Sequence, residues 1–215
     1  MKIENPDSFI VPEFRGLARR FRERVTVLSD VATPKLKAIV AVAGTDCRRG
    51  YTGMRIPVAL ASVEAKWRAL AGIDRLALTI HKAPGTLEII DTRLVKSVIT
   101  TIPNVPGAVA EPGLTIAVEG IEIKTNRPRT CRWYTQPIVT VSAHAIARFY
   151  ERTNADDDAL LSGLLEVSRA YPRLIETPGP FSLDVALGSW RGLVANLLEP
   201  DEKLTLSLHL RTFMA

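Results

Sequence analysis

Histidine and cysteine are both scarce in this 215-residue chain, at three and two residues. Cys47 and Cys131 stand far apart, in "DCRRG" and "TCRWY", and lack the paired spacing of a zinc site or a redox motif. They read as free thiols in a reducing cytoplasm. His81, His144 and His209 are equally dispersed, with no acidic residue at ligand spacing, so neither a metal nor another cofactor is expected. No run of 18 apolar residues occurs, which excludes a spanning helix. The opening "MKIENPDSFIVPEF" has no apolar core of the kind a secretory signal needs. These absences describe a soluble, cytoplasmic protein with no membrane partner. Internal repeats and low-complexity tracts are also lacking.

What is present is the composition of a folded chain, 47% hydrophobic and 24% charged. The net charge of +5, with a pI near 9.4, favours polyanions such as nucleic acid. The basic residues gather in three segments, 15–24, 48–55 and 127–132.

The first segment lies in "EFRGLARRFRERVTVL" (13–28), where Phe14, Leu17, Ala18, Phe21 and Val25 recur at helical spacing. Its five arginines fit either a solvated face or a phosphate-tracking one. "KLKAIVAVAG" (35–44) reads as a buried strand ending at a glycine, followed by a basic loop over 45–57 without the spacing of a P-loop. "VALASVEAKWRALAG" (58–72) is an amphipathic helix stopped at Gly72. The period then switches to two: 74–82, 85–100 and 114–126 read as strands, the first two forming a hairpin about Pro84–Gly85. The proline-rich stretch 103–113 reads as a long loop or soft boundary. "NRPRTCRWYTQP" (126–137) reads as a linker, or as an arm on which Trp133 and Tyr134 stack against bases.

From residue 138 the pattern is clearest. "IVTV" is a strand end, Ser142 an N-cap, and the helix after it sets Ile146, Phe149 and Tyr150 against His144, Arg148, Glu151 and Arg152. His144, Arg148 and Arg152 form one polar stripe at i, i+4 and i+8. A second helix over 156–171 opens on three aspartates that suit its positive end. Strands follow at 181–187, 190–198 and 203–214, the first two joined by a "GS" turn. In the last strand Leu204, Leu206, Leu208 and Leu210 alternate with Thr205, Ser207, His209 and Arg211. Trp190 fits the core better than a substrate rim, and Arg191 beside it is a candidate for binding substrate.

"SAHAIARFYER", a second helix and strands ending in "LHLRTFM" together resemble the RelE-like toxin nucleases, of the barnase–EndoU–colicin–RelE group. The resemblance covers residues 138–215. It implies metal-independent RNA cleavage, in which a base activates a ribose 2′-hydroxyl and cations steady the charge developing on phosphorus. It implies His144 as general base or acid, Arg148 as the phosphate-binding cation and Thr212 as a polar contact on the terminal strand. Periodicity adds Arg152, His209, Arg211 and Arg191 as substrate-binding candidates. One departure stands out: strict alternation leaves Thr212 on the leucine side, away from His209 and Arg211.

The expectation is therefore an α+β protein. A mixed region with antiparallel strands (1–130) precedes a helix–helix–β-meander unit (131–215), and the two either pack as one domain or stand apart. Two functions follow: an endoribonuclease acting on RNA, or a non-catalytic module that binds nucleic acid or a neutralising or assembly protein partner through its basic surface.

Overall fold

The computed structural model describes residues 10–50, 56–72, 74–100, 110–126, 128–198 and 204–215, leaving aside the side chains of 98–100, 110–112, 195–198 and 204–206. Helices α1 (Pro12–Arg49) and α2 (Ile56–Arg68) lead into strands β1 (Arg75–Ala83), β2 (Thr86–Thr100), β3 (Ala110–Lys124) and β4 (Thr130–Ser142). Helices α3 (Ala143–Thr153) and α4 (Asp157–Leu174) follow, then strands β5 (Gly179–Val185), β6 (Gly188–Leu198) and β7 (Leu204–Met214). The sheet order is β1-β2-β3-β4-β7-β6-β5. The β4–β7 neighbours are parallel, whereas β1–β2, β5–β6 and β6–β7 are antiparallel. The protein is α+β.

The structure departs from the sequence pattern at four places. Residues 35–44 are not a strand but the second half of α1, a 38-residue helix with Pro34 inside it. The buried positions explain why: Phe21, Val25, Ser29, Ala32, Leu36, Ala43 and Cys47 recur at three, four or seven. That stripe overrides the β-branched composition of "AIVAV". Of the basic loop expected over 45–57, residues 45–49 belong to α1 and 56–57 to α2, and 51–55 lie outside the described residues. Residues 130–137 are not a linker either, because β4 starts at Thr130. Of the expected loop 103–113, residues 110–113 belong to β3 and 101–109 lie outside the described residues.

The chain divides into two compact units, each discontinuous. One comprises 1–24, 95–116 and 137–215, the other 25–94 and 117–136. In the second unit α1, α2 and the strands enclose a core of Leu36, Ala43, Trp67, Leu87, Ile89, Ile121 and Ile123. The β1–β2 hairpin turns at Pro84–Gly85, with Ala83 paired to Thr86.

In the first unit Ser142 caps α3 by accepting from the Ala145 N–H at 3.0 Å, and Asp156 caps α4 in the same way. The β5–β6 turn is Ala186–Leu187, not the "GS" pair, because Val185 already faces Gly188. At Gly188 the backbone takes φ +146, and a Cβ there would strike the Met214 carbonyl. The core of this unit is aromatic. Phe149 of α3 stacks on Trp190 at 5.8 Å, and both meet Phe213 edge-on at 4.9 and 4.8 Å.

Strict alternation in β7 fails at one place. Arg191 pairs with Thr212, yet Gly192 pairs with Leu210, so Arg211 is the extra residue of a bulge. Leu208 and Leu210 before it and Phe213 after it are all buried. Thr212 therefore leaves the leucine side and shares a face with His209.

Candidate functional site

The sequence-derived site residues fall into two groups. On α3, His144 sits half-buried in the first turn. Arg148 donates to Glu151 at 2.5 Å, both side chains being largely covered. Arg152 is half-buried: its guanidinium donates to the Phe213 carbonyl and touches Met214 Sδ. It thereby ties the end of α3 to the end of β7, a backbone contact that helical periodicity alone cannot reveal.

The second group lies on β6 and β7. His209 is flanked by the Thr140 hydroxyl at 2.5 Å from Nδ1 and the Ser207 hydroxyl at 3.2 Å from Nε2. Burial, and then the charge of Arg211, hold its pKa below the ordinary value. A neutral imidazole with both nitrogens engaged serves to satisfy buried hydroxyls between β4 and β7. Arg191 and Arg211 are exposed, and Thr212 is half-buried. The face of Leu208, Leu210 and Phe213 is the one that α3 covers through Phe149, so His209 and Thr212 stand on the opposite face. The sheet thus lies between His209 and the helix bearing His144.

The three aspartates at the start of α4 are accounted for within the fold. Asp156 is the cap, while Asp157 accepts from Tyr150 Oη and from Arg24, each at 2.5 Å. Burial and this carboxylate push the Tyr150 phenol far up, so it stays protonated. Among the described residues no group of His, Cys, Asp and Glu is placed to hold a metal ion. No described helix is long and apolar enough to cross a membrane.

The other unit holds two features, the first of which sequence reading missed. One is a buried ionic network. Asp91 accepts from Arg75 at 3.0 and 2.9 Å and from Trp67 Nε1 at 2.9 Å. Arg93, 1% exposed, donates to the Leu70 carbonyl and lies 3.1 Å from Asp74, an ion pair without hydrogen-bond alignment at Nε. Glu119 is buried beside them, and its Oε2 has no partner. The signal was period two in β2, since Leu87, Ile89, Asp91 and Arg93 all point to the same buried side.

The other is an arginine cluster where α1 ends and β4 begins. The Arg129 guanidinium lies over Gly50, and Arg48 reaches Thr45 Oγ1 at 3.3 Å. Both raise the local positive potential around Cys47, although burial keeps that thiol's pKa high. Arg48, Arg49, Arg129 and Arg132 are exposed, and Trp133 and Tyr134 follow at 38% exposure each. The Tyr134 ring covers Gly120 of β3, where a Cβ would collide with it.

No protein-family model matches this sequence, no curated protein matches it, and no solved structure matches its fold.

Proposed function

We propose that this protein binds nucleic acid without cleaving it, through the arginine cluster of α1 and β4. The observation that carries this reading is the partition of charge. The unit of residues 25–94 and 117–136 has 14 Lys and Arg against 8 Asp and Glu, a net +6. The other unit has 14 against 15, a net −1. The whole positive excess thus belongs to the unit that presents Arg48, Arg49, Arg129 and Arg132.

Exposed guanidiniums suit phosphate because each offers a planar fork of donors. Trp133, exposed on β4, offers a ring on which any base can stack, whereas the Tyr134 ring is laid over Gly120. Four such cations predict a slope of log affinity against log salt of about −3 on a single strand. Fluorescence anisotropy with a labelled single-stranded RNA at rising salt measures it. Affinity indifferent to salt, or absent at low salt, overturns the reading.

The β7 bulge favours a second reading, the RelE-like ribonuclease, because it gathers Thr212, His209 and Arg191 on one face. Against it stands the net negative charge of that unit, which repels RNA. Incubating the protein with RNA in excess chelator separates the two. Fragments that disappear in His209→Ala support the nuclease, and intact RNA supports binding alone.

A further inference from the structure

Helix α1 carries two apolar stripes, and only one of them is used by the fold. Over residues 25–47 the buried stripe is Val25, Ser29, Ala32, Leu36, Ala43 and Cys47. On the opposite side Val27, Val31, Pro34, Ala38, Ala41 and Val42 are all exposed, the three valines at 64%, 52% and 53%. A contiguous apolar band of this kind on the surface marks an association site. Val27, Val31, Pro34, Ala38 and Ala41 follow each other at four, three, four and three. That is the heptad spacing of a coiled-coil seam, with Val31 and Ala38 at a and Val27, Pro34 and Ala41 at d.

We infer that this face pairs α1 with α1 of a second copy of the chain, in parallel. The flanking charges choose the occupant and the direction. Asp30 falls at a g position and Lys35 at the following e position, both exposed. In a parallel pair g of one helix meets e of the next heptad in its partner, five residues on. Asp30 of each copy then faces Lys35 of the other, twice by symmetry. An antiparallel pair instead sets g against g and e against e, so that Asp30 and Lys35 no longer face each other. A self-complementary pattern on one helix points to the same helix as its partner. The seam residues are small, which lets the two backbones approach closely but limits the apolar area each layer buries, so the pairing is a reversible one.

Sedimentation equilibrium across a concentration series tests the inference on the full chain. Wild type is expected to dimerise reversibly, and Val31→Glu to stay monomeric with an unchanged far-ultraviolet circular dichroism spectrum, since Val31 takes no part in the core. Asp30→Lys is expected to weaken the dimer, and adding Lys35→Asp to restore it. Ala38→Cys and, separately, Val27→Cys are each expected to crosslink under mild oxidation, because equivalent positions meet all along the seam only in a parallel pair; wild type with its own two cysteines is the control. A wild type that is monomeric at every concentration overturns the proposal. So does a dimer that survives Val31→Glu, a double charge swap that fails to restore association, or a dimer in which Ala38→Cys or Val27→Cys does not crosslink.

Discussion

Arg93 is buried with Asp74, Asp91 and Glu119, and the partly covered Arg75 reaches in beside them, so three carboxylates meet two guanidiniums. Asp91 is held by Arg75 and Asp74 lies against Arg93, which leaves Glu119 as the surplus charge. Burial raises its pKa, and the neighbouring Asp91 and Asp74 reinforce this against the opposing pull of Arg93. The folded state therefore holds that proton more tightly than the unfolded chain does. The charge costs nothing in acid, where both states are protonated. Its cost grows as pH rises from the ordinary carboxylate range through the raised folded value. Glu119→Gln is expected to be more stable than wild type at neutral pH by about 1–3 kcal/mol, the gap closing in acid. Urea unfolding at neutral and acid pH measures this, and a less stable variant at neutral pH would show that Arg93 holds the ionised carboxylate. This network was half legible. Period two places Asp91 and Arg93 on the side of Leu87 and Ile89, but strand alternation is ordinarily read by assigning charges to water.

At the scale of elements, α3 is docked on β6 and β7 by rings, with Arg152 of its polar stripe fastening one end. Phe149, Trp190 and Phe213 meet at 4.8–5.8 Å, and Gly163 of α4 leaves room for the Trp190 indole, whose ring nitrogen lies 3.2 Å from where a Cβ would stand. Trp190→Ala is expected to cost about 3–5 kcal/mol by opening a cavity between helix and sheet. Equilibrium unfolding in urea checks it; a loss below about 1 kcal/mol would mean that α3 is held mainly by other contacts. Most elements from residue 56 onward were visible in sequence, because period two and period 3.6 are properties of a short stretch of chain. The helix over 35–49 was not, since the β-branched Ile39, Val40 and Val42 read as a strand and only the surface that Leu36, Ala43 and Cys47 pack against selects the helical period. The β7 bulge was also hidden, because one extra residue leaves no mark on composition.

For the whole molecule, the decisive property is where the charge resides. A net charge of +5 is a single number, whereas the folded chain concentrates +6 in one unit and −1 in the other. Not every arginine on α1 contributes equally to an anion-binding surface. Arg19 is paired with Glu23 and Arg24 with Asp157. Double replacement of Arg129 and Arg132 by Ala is expected to reduce the salt slope of RNA binding by about 1.4, at roughly 0.7 for each phosphate no longer neutralised. Replacing Arg19 and Arg24 is expected to leave that slope nearly unchanged. Anisotropy titrations of the two variants at several salt concentrations compare them directly.

The sequence by itself determined the α+β class, the two caps at Ser142 and Asp156, and the antiparallel meander that ends the chain. Each of these rests on a residue and its neighbours within a turn or a strand, where hydrogen-bond demand and side-chain alternation act locally. Only the tertiary structure decided that α1 runs unbroken to Arg49, that Arg152 serves the end of β7, and that His209 and the α3 stripe stand on opposite sides of a sheet. It also decided that Asp91 and Arg93 are core residues while Val27, Val31 and Val42 are not. These outcomes depend on which surfaces meet across long stretches of chain, and burial, unlike periodicity, belongs to pairs of surfaces rather than to any one segment.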